Sequence, residues 1–168
     1  FPFDVLNAQD WDIEHIDSYH TNALKNDDLK KEWITTAFED RKNYLSEEEK
    51  TTIESKMENK DYDSVIDLLK KNAGETEVDE DIKNGIGNLT LLDSETNRSY
   101  GNSLFCTKRR IIIDRIKQGV FVPVATQYIF SKFYDEKGTN RSVWAKEDME
   151  AYQKYIVKML SEYLPENN

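Results

Sequence analysis

Apolar residues recur three and four positions apart through most of this chain, and that spacing predicts helices. Residues 27–38 bring Leu29, Trp33, Ile34 and Ala37 to one side, with Asn26 or Asp27 as the cap. Ser46 and Glu49 make a capping box that opens a helix through about Glu58. Residues 61–71 align Tyr62, Val65, Ile66 and Leu69, and Gly74 follows their end. Residues 103–117 are apolar through Leu104, Phe105, Ile111, Ile112 and Ile116, and residues 126–134 turn Tyr128, Ile129, Phe130 and Phe133 inward. A last helix over 144–164 packs with Met149, Tyr152, Ile156, Met159, Leu160 and Tyr163. Before the second of these three, Val120-Phe121-Val122-Pro123 reads as an extended connector, because the residue ahead of a proline is steered away from helical geometry.

Elsewhere the helical rhythm breaks. Trp11-Asp12-Ile13-Glu14-His15 alternates apolar and polar side chains, which predicts a short strand ending on a carboxylate and an imidazole. Gly85 and Gly87 permit a tight turn into a second strand over residues 88–92, buried through Leu89, Leu91 and Leu92. Asp93 or Ser94 then caps a short helix that Gly101 ends, and the acidic run at residues 75–81 reads as a solvated loop. The fold class that follows is α+β: mostly helical, with a small antiparallel hairpin clasped to the helix at 94–100 and the helices between residues 27 and 73 capping one side. No Pro/Gly/Ser-rich linker divides the chain, so residues 1–168 read as a single domain. Opening on Phe1 rather than Met, it reads as a C-terminal fragment of a larger protein. The lack of a long apolar run or a basic-then-apolar leader points to a soluble, cytoplasmic protein with no membrane partner.

Charge complicates any nucleic-acid role, because the net charge is -10 and phosphate is bound by cations. The imbalance is local, however: residues 1–87 hold 23 acids against 11 bases, while residues 88–168 hold 10 against 12. Arg98, Lys108, Arg109, Arg110, Arg115 and Lys117 face only Asp114 over their stretch, so Lys108, Arg109, Arg110 and Arg115 are candidates for a basic strip that binds nucleic acid. The lone Cys106 excludes an internal disulfide and a cysteine-rich zinc knuckle.

With two histidines in the chain, an imidazole base must be His15 or His20. An unperturbed imidazole can accept a proton near neutrality, and His15 stands beside a carboxylate that can hold a cation, whereas His20 follows in a loop and is left at most a pocket-lining role. Alternation sends Glu14 and His15 to opposite faces, so both serve one site only where the strand ends or kinks. Asp12 shares the Glu14 face as an auxiliary metal ligand. Asn97 offers a hard carbonyl oxygen suited to Mg2+ or Mn2+, or else faces solvent from its helix. Asn88 braces the loop carrying His15 or simply serves the glycine turn, and Arg98 reaches a substrate phosphate or complements Glu95. Taken together, these residues point to metal-assisted hydrolysis of a phosphodiester.

The segments Asp12-Ile13-Glu14-His15-Ile16 and Ile86-Gly87-Asn88-Leu89-Thr90-Leu91-Leu92-Asp93-Ser94-Glu95-Thr96-Asn97-Arg98-Ser99-Tyr100-Gly101-Asn102, followed by a helix containing Lys108-Arg109-Arg110, resemble the HNH nuclease domain at the C-terminus of GmrSD-like DNA restriction proteins. The resemblance covers most of the chain. It implies a ββα-metal core in which His15 is the general base, Glu14 and Asn97 are metal ligands and Asn88 is the asparagine opening the second strand. It also implies DNA as partner, a role in anti-phage defence, and a covalently linked N-terminal ParB-like nucleotide-hydrolysing domain outside this chain. Asn stands at the final HNH position, Asp17 lies where many relatives carry proline, and the helices between the two motif halves form a long insertion. Two other readings compete: a non-catalytic nucleic-acid or partner-binding domain that keeps the fold, and a ribonuclease using the same site.

Overall fold

The computed structural model describes residues 3–8, 10–17, 24–75, 78–133 and 142–163. The order is α1 (Phe3–Asn7), β1 (Trp11–His15), α2 (Asp27–Arg41), α3 (Glu47–Glu58), α4 (Tyr62–Ala73) and α5 (Glu80–Lys83). A 3-10 turn at Ile86–Asn88 leads into β2 (Leu89–Asp93), followed by α6 (Ser94–Tyr100), α7 (Phe105–Lys117), α8 (Val124–Ser131) and α9 (Lys146–Leu160). The fold is α+β and mostly helical, and among the described residues its sheet is a single antiparallel pair. In that pair Trp11 lies opposite Asp93, Ile13 opposite Leu91 and His15 opposite Leu89.

The core divides at the start of α7. Leu104 points into a cluster formed by α2, α3 and α4 around Trp33, Ile53, Val65 and Leu69. Its neighbour Phe105 points into a second cluster beneath the hairpin, with Ile16, Leu92, Phe130 and Trp144. Burying a side chain of this size stabilises by about 1.5–3 kcal/mol, so adjacent residues anchor two packing units to one helix. The helices expected to cap one side of the hairpin pack on one another and against α7, which ties them to the rest of the domain. Trp33 Nε1 donates to the Asn102 carbonyl at 2.9 Å, and Arg110 Nε reaches Asp40 at 2.7 Å.

Local signals set several boundaries. Ser46 and Glu49 form the capping box, α4 stops on Gly74 at φ +77°, and Asp93 caps α6 by accepting from the Thr96 amide at 2.9 Å. Other expectations shift. α2 continues to Arg41, whose guanidinium turns inward to donate to the Asn72 carbonyl at 2.7 Å. The expected acidic loop holds α5, and Glu75 is half-buried, with burial pushing its carboxyl up to about 7. Asn88 belongs to the 3-10 turn rather than to the strand. α8 ends at Ser131 because Lys132 takes a left-handed backbone and sends its ammonium to Asp148 at 2.9 Å, leaving Phe133 exposed. Met159, Leu160 and Tyr163, expected in the core, are exposed at the end of α9 and just beyond it.

One close approach sets the position of the turn before β2. A Cβ added at Gly87 would lie 2.1 Å from the Met149 carbonyl oxygen, so only glycine lets this turn rest on the α9 backbone.

Candidate active site

The hairpin and α6 bring two carboxylates and a side-chain amide together. Successive side chains in β1 leave opposite faces, which puts Asp12 and Glu14 together on the face toward α6. From α6, Asn97 Nδ2 donates to Glu14 Oε1 at 2.8 Å and to Asp12 Oδ2 at 3.0 Å. The helix is pinned at its start, where the Ser94 amide donates to the Asp10 carbonyl at 3.0 Å. Arg115 holds it from α7, with Nε on Thr96 Oγ1 at 3.0 Å and a second nitrogen 3.2 Å from Glu95. Asn97 is thus the only neutral member of a trio, and its amide hydrogens lie between two like charges.

His15 is placed differently. It is the last residue of β1, still paired with Leu89, and its ring turns to Asn84, with Nε2 3.2 Å from Oδ1. An amide oxygen accepts, so this contact is made when Nε2 carries a proton. The structure therefore joins Asp12, Glu14 and Asn97 directly, while His15 sits half-buried at the strand end and outside that contact. Nothing in the apolar pattern marked Asn84 as its partner.

Beyond His15 the chain is held from below. The Ile16 amide donates to the Asn88 carbonyl at 2.8 Å, and the Asp17 amide donates to Asn88 Oδ1 at 2.8 Å. Asn88 Nδ2 returns bonds to the carbonyls of Asp17 at 3.2 Å and Lys83 at 2.9 Å. Asn88 is fully buried, so it acts on the loop and does not face solvent. Asp17 is buried as well, 3.3 Å from Lys83 Nζ, and desolvation raises its carboxyl pKa despite Lys83 and Lys108 nearby.

Lys108 does not join the expected basic strip. Lys108 is 1 % exposed, and its ammonium donates to the carbonyls of His15 at 2.9 Å and Ile16 at 3.2 Å. Burial pushes its pKa down to about 7, although Asp17, Glu75 and Glu14 favour the charged form. Arg109 Nε donates to the Phe130 carbonyl at 2.8 Å, Arg110 pairs with Asp40, and Arg115 is committed to α6. The reason is position: α7 contacts α2, α6 and α8, so little of its circumference faces open solvent. The spacing of Lys108 from Phe105 and Ile112 already placed it in the apolar stripe. Arg98 is exposed on α6 beside Asn97, and His20 lies outside the described residues.

Residues 6–159 match the family described as GmrSD restriction endonucleases, C-terminal domain. The chain belongs to this family. No curated protein and no solved structure matches it. In this C-terminal domain of the GmrSD restriction endonuclease family, the trio of Asp12, Glu14 and Asn97 gathers, among the described residues, groups that could hold a divalent cation. Two carboxylates and an amide are hard oxygen donors, fitting Mg2+ or Mn2+, and a half-turn of the Asn97 amide exchanges Nδ2 for Oδ1. No group of three or more His, Cys, Asp or Glu side chains that could hold a metal occurs among the described residues. Among the same residues no helix is long and apolar enough to cross a membrane.

Proposed function

We propose that this GmrSD C-terminal domain is an HNH-type, metal-dependent DNA endonuclease acting in restriction and anti-phage defence. The observation that supports it is the convergence of Glu14 and Asp12 with Asn97 across the hairpin and α6, one residue from an imidazole at the strand end. Glu14 and Asn97, assisted by Asp12, hold Mg2+ or Mn2+. When bound, the cation supplies charge stabilisation for the phosphate and the leaving oxygen. Its incomplete ligand set leaves positions for phosphate oxygens, so tight cation binding comes with substrate.

His15 serves as the general base. Its Nε2 faces Asn84, and the imidazole takes the proton of the attacking water. Asn88 holds the backbone that follows His15, and exposed Arg98 contacts the phosphodiester. Hydrolysis leaves 5′-phosphate and 3′-hydroxyl ends. A linked N-terminal ParB-like nucleotide-hydrolysing domain is the proposed partner within the larger protein.

Supercoiled plasmid incubated with the domain and Mg2+ or Mn2+ tests this reading, with chelator and with H15A and E14Q variants in parallel. Cleavage lost in each of those arms is expected. Cleavage that persists in H15A at the native rate removes the imidazole from the mechanism. Binding without cleavage in every arm favours a binding domain that keeps the fold, and cutting of RNA alone favours a ribonuclease.

A further inference from the structure

The strand end that carries His15 presents two backbone carbonyls, those of His15 and Ile16, at the point where strand pairing stops. Both are met by one side chain. Lys108 comes from the buried face of α7, between Phe105 and Ile112, and donates to His15 O at 2.9 Å and Ile16 O at 3.2 Å. Its ammonium is taken out of water to do this, and an apolar residue of similar volume would fill the same space without that desolvation cost. Packing therefore does not account for a lysine here. The geometry does: a cation holding two successive carbonyls fixes the peptide plane between them, and with it the direction in which the His15 side chain leaves the backbone.

We propose that Lys108 is a positioning residue for phosphodiester hydrolysis, setting the His15 imidazole through the two carbonyls it holds; this rests on the nuclease reading above. Lys108 meets the site through backbone carbonyls, and Glu14 is among the carboxylates that favour its charge. It works from beneath the site, as Asn88 works from beside it. Asn88 binds Asp17 and Ile16, Lys108 binds His15 and Ile16, and together they fix three consecutive residues. A lysine counted by composition among phosphate-binding bases thus acts on the nuclease backbone.

The test compares the full chain with K108M and K108Q. Single-turnover plasmid cleavage separates kcat from KM, thermal unfolding follows folding, and 15N spectra report the His15 ring. The expected result for K108M is a kcat reduced about 100-fold, the cost of a misplacement of the order of an ångström, with KM and melting midpoint held and the ring nitrogen resonances moved. K108Q, which keeps a donor, should recover part of the rate. Unchanged kcat and ring resonances in folded K108M overturn the proposal. So does activity lost only in proportion to folded protein, or failure of both variants to fold, since Lys108 is then a strut of the core. Should the native chain cut no nucleic acid at all, the nuclease reading fails by itself, and the ring spectra still decide whether Lys108 sets His15.

Discussion

Replacing Asn88 with aspartate changes one side-chain group and almost no volume, yet it inverts the hydrogen-bonding of a fully buried position. The native amide accepts from the Asp17 amide at 2.8 Å and donates to the carbonyls of Asp17 and Lys83 at 3.2 and 2.9 Å. A carboxylate keeps the first bond and loses both others. Two buried carbonyls left without a donor cost about 1–3 kcal/mol each, and the new charge faces them in a dry site already holding Asp17. N88D should therefore lose about 4 kcal/mol at pH 7, a large share of the roughly 5–15 kcal/mol that holds a typical domain folded. Protonation restores one donor. Burial raises the folded pKa of the introduced carboxyl above its unfolded value, so the native state binds the extra proton. The destabilisation is then smallest at low pH and grows as pH rises through that folded value. Urea unfolding of both proteins at pH 4 and pH 7, followed by tryptophan fluorescence, measures the difference. A loss under ~0.5 kcal/mol at pH 7, or one that does not shrink on acidification, refutes the argument.

The remaining predictions use the same geometry. G87A drives a methyl group into the Met149 carbonyl and should cost about 3 kcal/mol, lowering the melting midpoint by roughly 6–12 °C; a scan showing no shift would mean that the turn does not rest on α9 as described. Glu75, raised to about 7 by burial and by Asp17 against the pull of Lys70, Lys108 and Lys83, binds its proton more tightly folded than unfolded. Native stability measured against E75Q should thus fall as pH rises from about 4.5 to 7, by up to about 1.4 kcal/mol per pH unit. A flat difference across that window would place the Glu75 carboxyl in water.

What could be read from sequence was local. Alternation in β1 showed that Asp12 and Glu14 share a face, and Asp93 or Ser94 marked the start of α6, while the meeting of Asn97 with Glu14 was implied by the family resemblance. Ser46 and Glu49 marked their helix, since both partners lie within one turn. What escaped depended on tertiary neighbours. Charge counts cannot show that Arg109, Arg110 and Arg115 each meet a different element, because those partners are remote in sequence or belong to other helices. An acidic run reads as solvated until a buried lysine is found beside one of its members, as Lys108 is found near Glu75. The direction of the His15 ring depends on Asn84, in a turn whose composition signals only a bend.

The seat of Gly87 on α9 also bears on when the site comes into being during synthesis. Asp12, Glu14, His15, Asn97 and Lys108 have all left the ribosome well before Met149 does. Until that helix follows, the turn holding Asn88 has no surface to close against, and residues 15–17 lack their lateral hold. A nascent chain can therefore display every proposed ligand without the arrangement that would make them a nuclease. Completion of α9 is the step that gives the turn before β2 its seat.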